Sequence, residues 1–533
     1  MKRRRFIWAI MLPGWSVIML LHTFLLSAQR VSYCEPASDR SVQRMELVGK
    51  AGPYYWIQTI RSKRAMRHGG YRQVTEEESF DIYDARMSLL NEIPSAPASD
   101  KTLKEYFVAG DDHFDELTLL QGDHSTILFL HRYEPDGEPM DAGRTIGELP
   151  FVGAGNDLLM IRSQDRGRIL VLGFETVPSS APKVHALLFD QDWRPLSYRV
   201  YRNPSLSQPL IQDDFAGYPL EDFDKGAIKL ANNGQWLMAI PSRANSNYLL
   251  FHFNDADTAL RYKELVVPPT SYMEDVGVAI DNEKGTVAAG VLSDFHNSVV
   301  KTVRVIHYSM AGRTVDFDSS YRFNTLVSGR LKDDNLVKEN FIPVPGKGFL
   351  LLKEYGRSFL DLYGNEYTGG YDWYDDHWDP SLYFAGEAPD KGVKSPVLRD
   401  GYARYNSLGA LGKDHQRGDL NFFYFPDGRG DSCWSGMISQ EQITEMNTPN
   451  LSYFVLPVKD KLYFLYNILL RNQSSYASTT VIDPRGNLYT DQGILFWGFK
   501  NILRFQQSRQ LSESEVVIPY GNYGRYGFAI IQF

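Results

Sequence analysis

Trp236-Leu237-Met238-Ala239-Ile240 is followed, after seven residues, by Tyr248-Leu249-Leu250-Phe251-His252-Phe253. The turn Asn254-Asp255-Ala256-Asp257 comes next, and then a more amphipathic run from Leu260 to Val267. Neither apolar run alternates with polar residues. A strand with one wet face would alternate, so these are strands covered on both faces. Asp and Asn in the turn supply the backbone angles and local hydrogen bonds that reverse the chain. The stretch predicts antiparallel strands in the middle of one sheet, with similar sheets packed on either side.

The same pattern recurs along the chain. Apolar runs lead into turns at Asp84, Asp136, Asp190, Asn254, Ser309, Gly364, Asp427 and Asp483. The spacings are 52, 54, 64, 55, 55, 63 and 56 residues, a little above the usual repeat of propeller blades. Such a unit cannot bury both faces alone, so its neighbours must stack and the stack must close. Residues 41–533 therefore read as a single closed all-β propeller. Eight turns give eight blades; if one turn belongs to an insertion, there are seven. The tail holds two strands, Glu515–Pro519 and Gly527–Phe533, with no room for a third. A partial unit near Arg44–Val48 predicts that an N-terminal strand completes the last blade and removes its exposed edge.

Composition fits this fold and excludes others. The 533 residues are 43% hydrophobic and 23% charged, with a mean hydropathy of −0.33. Those values exclude a disordered chain and a polytopic membrane protein. The 32 Tyr, 30 Phe, 43 Gly and 27 Pro favour strands and tight turns over helices. Two cysteines cannot staple a chain of this length. Cys34 and Cys433 either pair or stay free, and only geometry decides between the two.

The N-terminus speaks to compartment. Lys2-Arg3-Arg4-Arg5 precedes a mostly apolar stretch from Phe6 to Ala28. This is the composition of an export signal over residues 1–28, cut after Ala28 or retained as an anchor. Residues 29–40 then read as a flexible lead-in. Tyr33 beside Cys34 argues against lipid attachment there. Losing residues 1–28 takes the net charge from −9 to −13. A body this acidic offers no basic face to nucleic acid. The expected location is the periplasm, the cell envelope or the outside of the cell, with no membrane span in the mature chain.

Leu25-Leu26-Ser27-Ala28-Gln29 resembles export signals common in Bacteroidota. The tail from Phe505-Gln506-Gln507 to Val517-Ile518-Pro519-Tyr520 is similar to the endings of uncharacterised secreted propeller-like proteins of that type. The resemblance implies a secreted propeller and brings no activity with it.

The segment Tyr371-Asp372-Trp373-Tyr374-Asp375-Asp376-His377-Trp378-Asp379-Pro380 stands apart in its density of aromatics and carboxylates. Flat rings stack on sugars or peptides, and carboxylates hydrogen-bond hydroxyls. Tyr371, Trp373, Asp375, Asp376, Trp378 and Asp379 are the candidate ligand-binding residues; packing of an inter-blade loop is the plainer role for them. With Lys391–Arg417 they are expected to line one face of the ring. Asp111-Asp112-His113-Phe114-Asp115-Glu116 reads as a solvated turn before it reads as a cation site. His185 and His252 sit in apolar strands and read as packed side chains. Arg429-Gly430-Asp431-Ser432 reads as a hairpin turn.

No H-E-x-x-H, G-x-S-x-G, P-loop or dinucleotide fingerprint occurs. The sequence thus nominates no catalytic set, no metal and no cofactor. It predicts an exported binding module for a glycan or a cell-envelope protein. The alternatives are an exported polysaccharide hydrolase or lyase, using Asp375, Asp376 and Asp379 at the channel mouth, and a structural part of an envelope assembly.

Overall fold

Trp236–Pro241 and Tyr248–Phe253 pair as antiparallel strands, flanked by Ile228–Leu230 and Arg261–Leu265. Trp236, Met238, Ile240, Leu249, Phe251 and Phe253 pack on the sheet before. Leu237, Ala239 and Leu250 pack on the sheet after. The missing alternation is therefore a consequence of two dry faces. At about 25 cal/mol per Å² of apolar surface removed from water, such double burial is the dominant favourable contribution.

The computed structural model describes residues 30–532 except 34–41, 67–71, 87, 96–99, 153–157, 176–181, 203–227, 242–247, 255–260, 266–270, 296–300, 323–335, 345–347, 361–365, 368–412, 427–433, 439–441, 445–452, 459–460, 469–475, 484–486, 491–501, 504, 506–507, 513–514 and 523–524. Every element named among the described residues is a β-strand. They form eight antiparallel sheets in the arrangement of an eight-bladed propeller. Blade 1 covers 42–94, blade 2 102–149, blade 3 158–202 and blade 4 228–265. Blade 5 covers 271–322, blade 6 336–444 and blade 7 453–490. Blade 8 combines 502–532 with Arg30–Tyr33.

Within each blade we letter the strands A to D from the inside out. First strands of neighbouring blades approach one another around the ring. Last strands such as Leu89–Pro94 and Pro195–Arg202 are largely exposed.

Apolar clusters join blades 1 and 2, 2 and 3, 3 and 4, 4 and 5, and 6 and 7. His307 meets Phe349 edge to face between blades 5 and 6. A further cluster runs from Leu456 and Leu465 of blade 7 through Val516, Ile518 and Phe528 of blade 8 to Leu47 and Ile57 of blade 1. The ring therefore closes by packing rather than by a continuous hydrogen-bonded sheet. Glu515 of blade 8 adds a polar clasp: it bonds Lys50 at 3.0 Å and accepts from the Tyr55 hydroxyl of blade 1 at 3.0 Å.

Two details differ from the sequence expectation. The strand that completes blade 8 is Arg30–Tyr33, paired antiparallel with Ala529–Gln532, while Val42–Ala51 around Arg44–Val48 opens blade 1. Part of the expected lead-in is thus built into the ring. Gly364 and Asp427, expected in turns of two blades, both fall within the span of blade 6, because Gly348–Leu360 pairs with Lys413–Pro426 and the latter with Trp434–Ile438. The count of eight stands because blade 8, which carries no such turn, replaces the doubly counted one.

Candidate ligand-binding end of the ring

The meander gives the ring two unlike ends. A–B and C–D turns emerge at one; B–C turns and the D–A connections between blades emerge at the other. All A–B turns are two to five residues long. Among the described residues, side chains and neighbouring turns tie down those of blades 1 to 5. Gly52 N–H donates to Asp111 O at 2.7 Å, linking blades 1 and 2. Asp165 N–H of blade 3 donates to Asn232 Oδ1 of blade 4, and Asn232 N–H donates to Asn282 Oδ1 of blade 5. Asn282 Nδ2 reaches back to Gln164 Oε1 at 3.0 Å. Gly234 and Gly285 have φ of +89° and +64°, which glycine adopts without strain. In the C–D turns, Asp84, Asp190 and Asp483 each accept a backbone N–H four residues on. That is the local hydrogen bonding expected of these turn residues.

The other end is elaborated. Between blades 3 and 4, 25 residues (203–227) intervene, and between blades 5 and 6, 13 (323–335). Blade 6 carries the largest addition. Its B and C strands, Gly348–Leu360 and Lys413–Pro426, outrun the A strand, whose pairing stops at Tyr355. Glu366–Tyr367 pairs beside Ser358 and Phe359, and Gln442–Thr444 pairs beside His415–Arg417. The blade thus gains an extra tier of sheet at the B–C end. Leu360 and Lys413 are register partners, so the stretch between them, which includes Glu366–Tyr367, begins and ends at one point of the sheet. Lys413–Arg417, expected in a loop, are strand residues.

Tyr371, Trp373, Asp375, Asp376, Trp378 and Asp379 all belong to that addition and lie outside the described residues. So do Cys34, Cys433 and the export signal. Among the described residues, no three His, Cys, Asp or Glu side chains are grouped to hold a metal ion.

His185 is packed as expected and is also wired. Its Nε2 lies 2.8 Å from Glu175 Oε2, and its Nδ1 lies 2.9 Å from the Tyr198 hydroxyl. Lys183 donates to the second Glu175 oxygen at 2.6 Å. Glu175 ends strand B and Lys183 opens strand C, so the group sits at the B–C end of blade 3. His185 is 3% exposed and Tyr198 43%, so the chain of hydrogen bonds reaches water through the phenol. Burial pushes the Glu175 carboxyl up, but the bonds from Lys183 and His185 outweigh it and hold the group ionised below its usual range. Burial and the Glu175 charge push the Tyr198 phenol up, which keeps it a proton donor. Sequence reading singled out His185 and missed its partners, which cross-strand register brings together. His252 is similarly held, between Tyr308 and Gln235 at 3.0 Å each.

The Asp111–Glu116 stretch is half turn and half core. Asp111 and Asp112 are exposed, whereas Asp115 is buried and accepts from Arg132 Nε at 2.7 Å and from Trp193 Nε1 of blade 3 at 2.8 Å. Burial pushes the Asp115 carboxyl up; hydrogen bonds from His113 and Arg132 more than reverse this and hold it low.

No protein-family model matches the sequence, and no curated protein matches it. Among solved structures the chain is similar to a prolyl endopeptidase, at 11% identity and a TM-score of 0.30, covering 86% of this chain and 55% of that one. The chain therefore spans about half the length of that enzyme. It is similar to the polysaccharide lyase Uly1, at 9% identity and a TM-score of 0.32, covering 82% and 91% of the two chains. It is also similar to a member of the DUF4221 family from Bacteroides vulgatus, at 9% identity and a TM-score of 0.26, covering 61% and 92%.

Proposed function

We propose that this chain is an exported propeller that binds a glycan or a cell-envelope protein at the B–C end of the ring. The observation that carries the reading is the contrast between the ends. At one, the A–B turns are two to five residues long and bond from blade to blade, while the other bears the extra tier of blade 6 and the addition that begins and ends at the Leu360–Lys413 pair. Propellers recognise ligands where such connections converge. The acidic-aromatic segment from Tyr371 to Pro380 belongs to that addition and has the chemistry for hydroxyl-rich or peptide surfaces. The basic leader and the resemblance to Bacteroidota export signals support secretion.

The test is an array of immobilised neutral and uronate-containing polysaccharides, run beside a pull-down from envelope extracts. Mature protein is compared with a form in which 368–412 is replaced by a short Gly/Asn turn, and with Trp373→Ala and Trp378→Ala. The reading expects retention by the intact protein and at least about tenfold weaker retention by the variants, as when an aromatic anchor is removed. Turnover of a polysaccharide without stable retention, or retention unchanged by the replacement, would overturn it. Turnover would favour the hydrolase or lyase reading instead.

A further inference from the structure

His113 closes the A–B turn of blade 2, between Thr102–Ala109 and Phe114–Gln121. Its two ring nitrogens both face carboxylates: Nδ1 is 2.7 Å from Asp112 Oδ1, and Nε2 is 3.0 Å from Asp115 Oδ2. A neutral imidazole donates from only one nitrogen and presents a lone pair at the other. Two ionised carboxylates at these distances therefore require the imidazolium.

The two carboxylates are not equivalent. The Asp112 side chain is 89% exposed, and that of Asp115 is fully buried. Asp115 is further held by Arg132 through two nitrogens, at 2.7 and 3.1 Å, and by Trp193 Nε1 at 2.8 Å. If His113 loses a proton, Asp115 keeps these partners, while water resolvates Asp112. The proton that leaves is thus the one on Nδ1. The turn that would move is connected: Asp111 O accepts the Gly52 N–H of blade 1 at 2.7 Å, and Gly110 N–H donates to His113 O at 2.8 Å. A Cβ on Gly110 would lie 2.7 Å from His113 Nε2, so the ring is held tightly over the glycine.

We propose that His113 is a pH-sensitive latch: its imidazolium pins Asp112, and with it the A–B turn that carries the bond to Gly52 of blade 1, to the buried Asp115, and its neutral form releases Asp112 and loosens the turn. The charged groups around it are Asp111 and Asp112 of the turn, Asp115 on strand B, Arg132 on strand C and Asp192 of blade 3; Lys50 of blade 1 is engaged by Glu515. Burial pulls the imidazole's affinity for protons down, but hydrogen bonds to Asp115 and Asp112 outweigh it, so His113 titrates above the ordinary histidine value of 6.5. For a group raised in the folded state, the stabilisation is complete below the unfolded value and is lost as pH rises through the folded one. The latch is therefore shut in mild acid and opens on the alkaline side. It does not depend on what the opposite end binds.

The test uses the mature chain with ¹⁵N-labelled histidine, His113 being assigned by difference from His113→Gln. Titration above 6.5 with an Nε2–H neutral form is expected. Hydrogen-exchange protection of the peptide carrying Gly52 should fall roughly tenfold across that titration, as for a local opening. In His113→Gln the protection should be low at both pH extremes. Asp112→Asn, which leaves the buried Asp115 cluster intact, should lower the titration point while the fold persists. Titration at or below 6.5, a neutral form protonated on Nδ1, or Gly52 protection that ignores the titration would overturn the proposal.

Discussion

The two ends of the ring are made by the same strands and differ in what joins them. At the A–B end, short turns bond to one another from blade to blade. At the B–C end, blade 6 rises above its own A strand and long stretches of sequence intervene between blades. The seam between blades 1 and 2 shows the same gradient within one interface. Trp56, Phe80, Phe107 and Phe114 form its A–B half, with Trp56 stacked on Phe114 at 3.8 Å. Two residues further along the same strand faces come Gln58, Glu78, Glu105 and Glu116. The apolar half supplies cohesion, and the carboxylate half works against it at neutral pH. The comparison teaches that, in this seam, apolar cohesion sits toward the A–B end and charge toward the B–C end.

The largest effects should come from breaking the cohesive end. Trp56→Ala removes the stack on Phe114 and the Nε1 bond to Pro135 O. Chemical denaturation should show a loss of about 3–5 kcal/mol, the usual range for a buried Trp. Asp115→Ala strands Arg132 and the Trp193 indole N–H. Its loss should be of similar size, about 3–5 kcal/mol, because one partner of a buried pair is left behind.

A smaller effect, of opposite sign, is expected in the carboxylate half. Burial, then the charges of Glu116 and Glu78, push the Glu105 carboxyl up to about 7 from 4.5. Its folded value is raised, so its contribution is full below about 4.5 and is lost as pH rises to about 7. Glu105→Gln should therefore raise the melting temperature at pH 8 and leave it nearly unchanged at pH 4. An equal shift at both pH values would contradict this origin.

The smallest effect is expected at the elaborated end. On the proposed ligand-binding role, Trp373→Ala and Trp378→Ala should change stability by less than about 0.5 kcal/mol, the range for side chains that no core depends on. A loss comparable to that of Trp56→Ala would erase the distinction between the ends.

Much of this was legible in the sequence, for physical reasons. Burial on both faces removes alternation, so Trp236–Ile240 and Tyr248–Phe253 announced stacked sheets. Asp84, Asp190 and Asp483 announced turns because a carboxylate there accepts backbone N–H groups. The sequence reads blade 6 as two units because Gly364 and Asp427, which follow its B and C strands in the sequence, both carry turn chemistry. That an N-terminal strand completes the last blade was legible in the two-strand tail, but which strand was not: register with Ala529–Gln532 selects Arg30–Tyr33 over the run near Arg44–Val48. The Glu175–His185–Tyr198 group was illegible for the same reason on a smaller scale: register, not sequence distance, assembles it. Histidine in an apolar strand was the one available signal.

Closure of the ring by its own two extremities can be tested with a disulfide. Val31 and Ile531 are register partners, and directly opposite Cα atoms in antiparallel strands lie about 4.5–5.5 Å apart, within disulfide reach. Val31→Cys with Ile531→Cys is placed in a Cys34→Ser, Cys433→Ser background, oxidised, and run on a non-reducing gel. An intramolecular bridge in the monomer is expected, while Val31→Cys with Pro519→Cys stays reduced. Cysteines that remain reduced in the matched pair, or that link only separate chains, would contradict a propeller completed by its N-terminal strand.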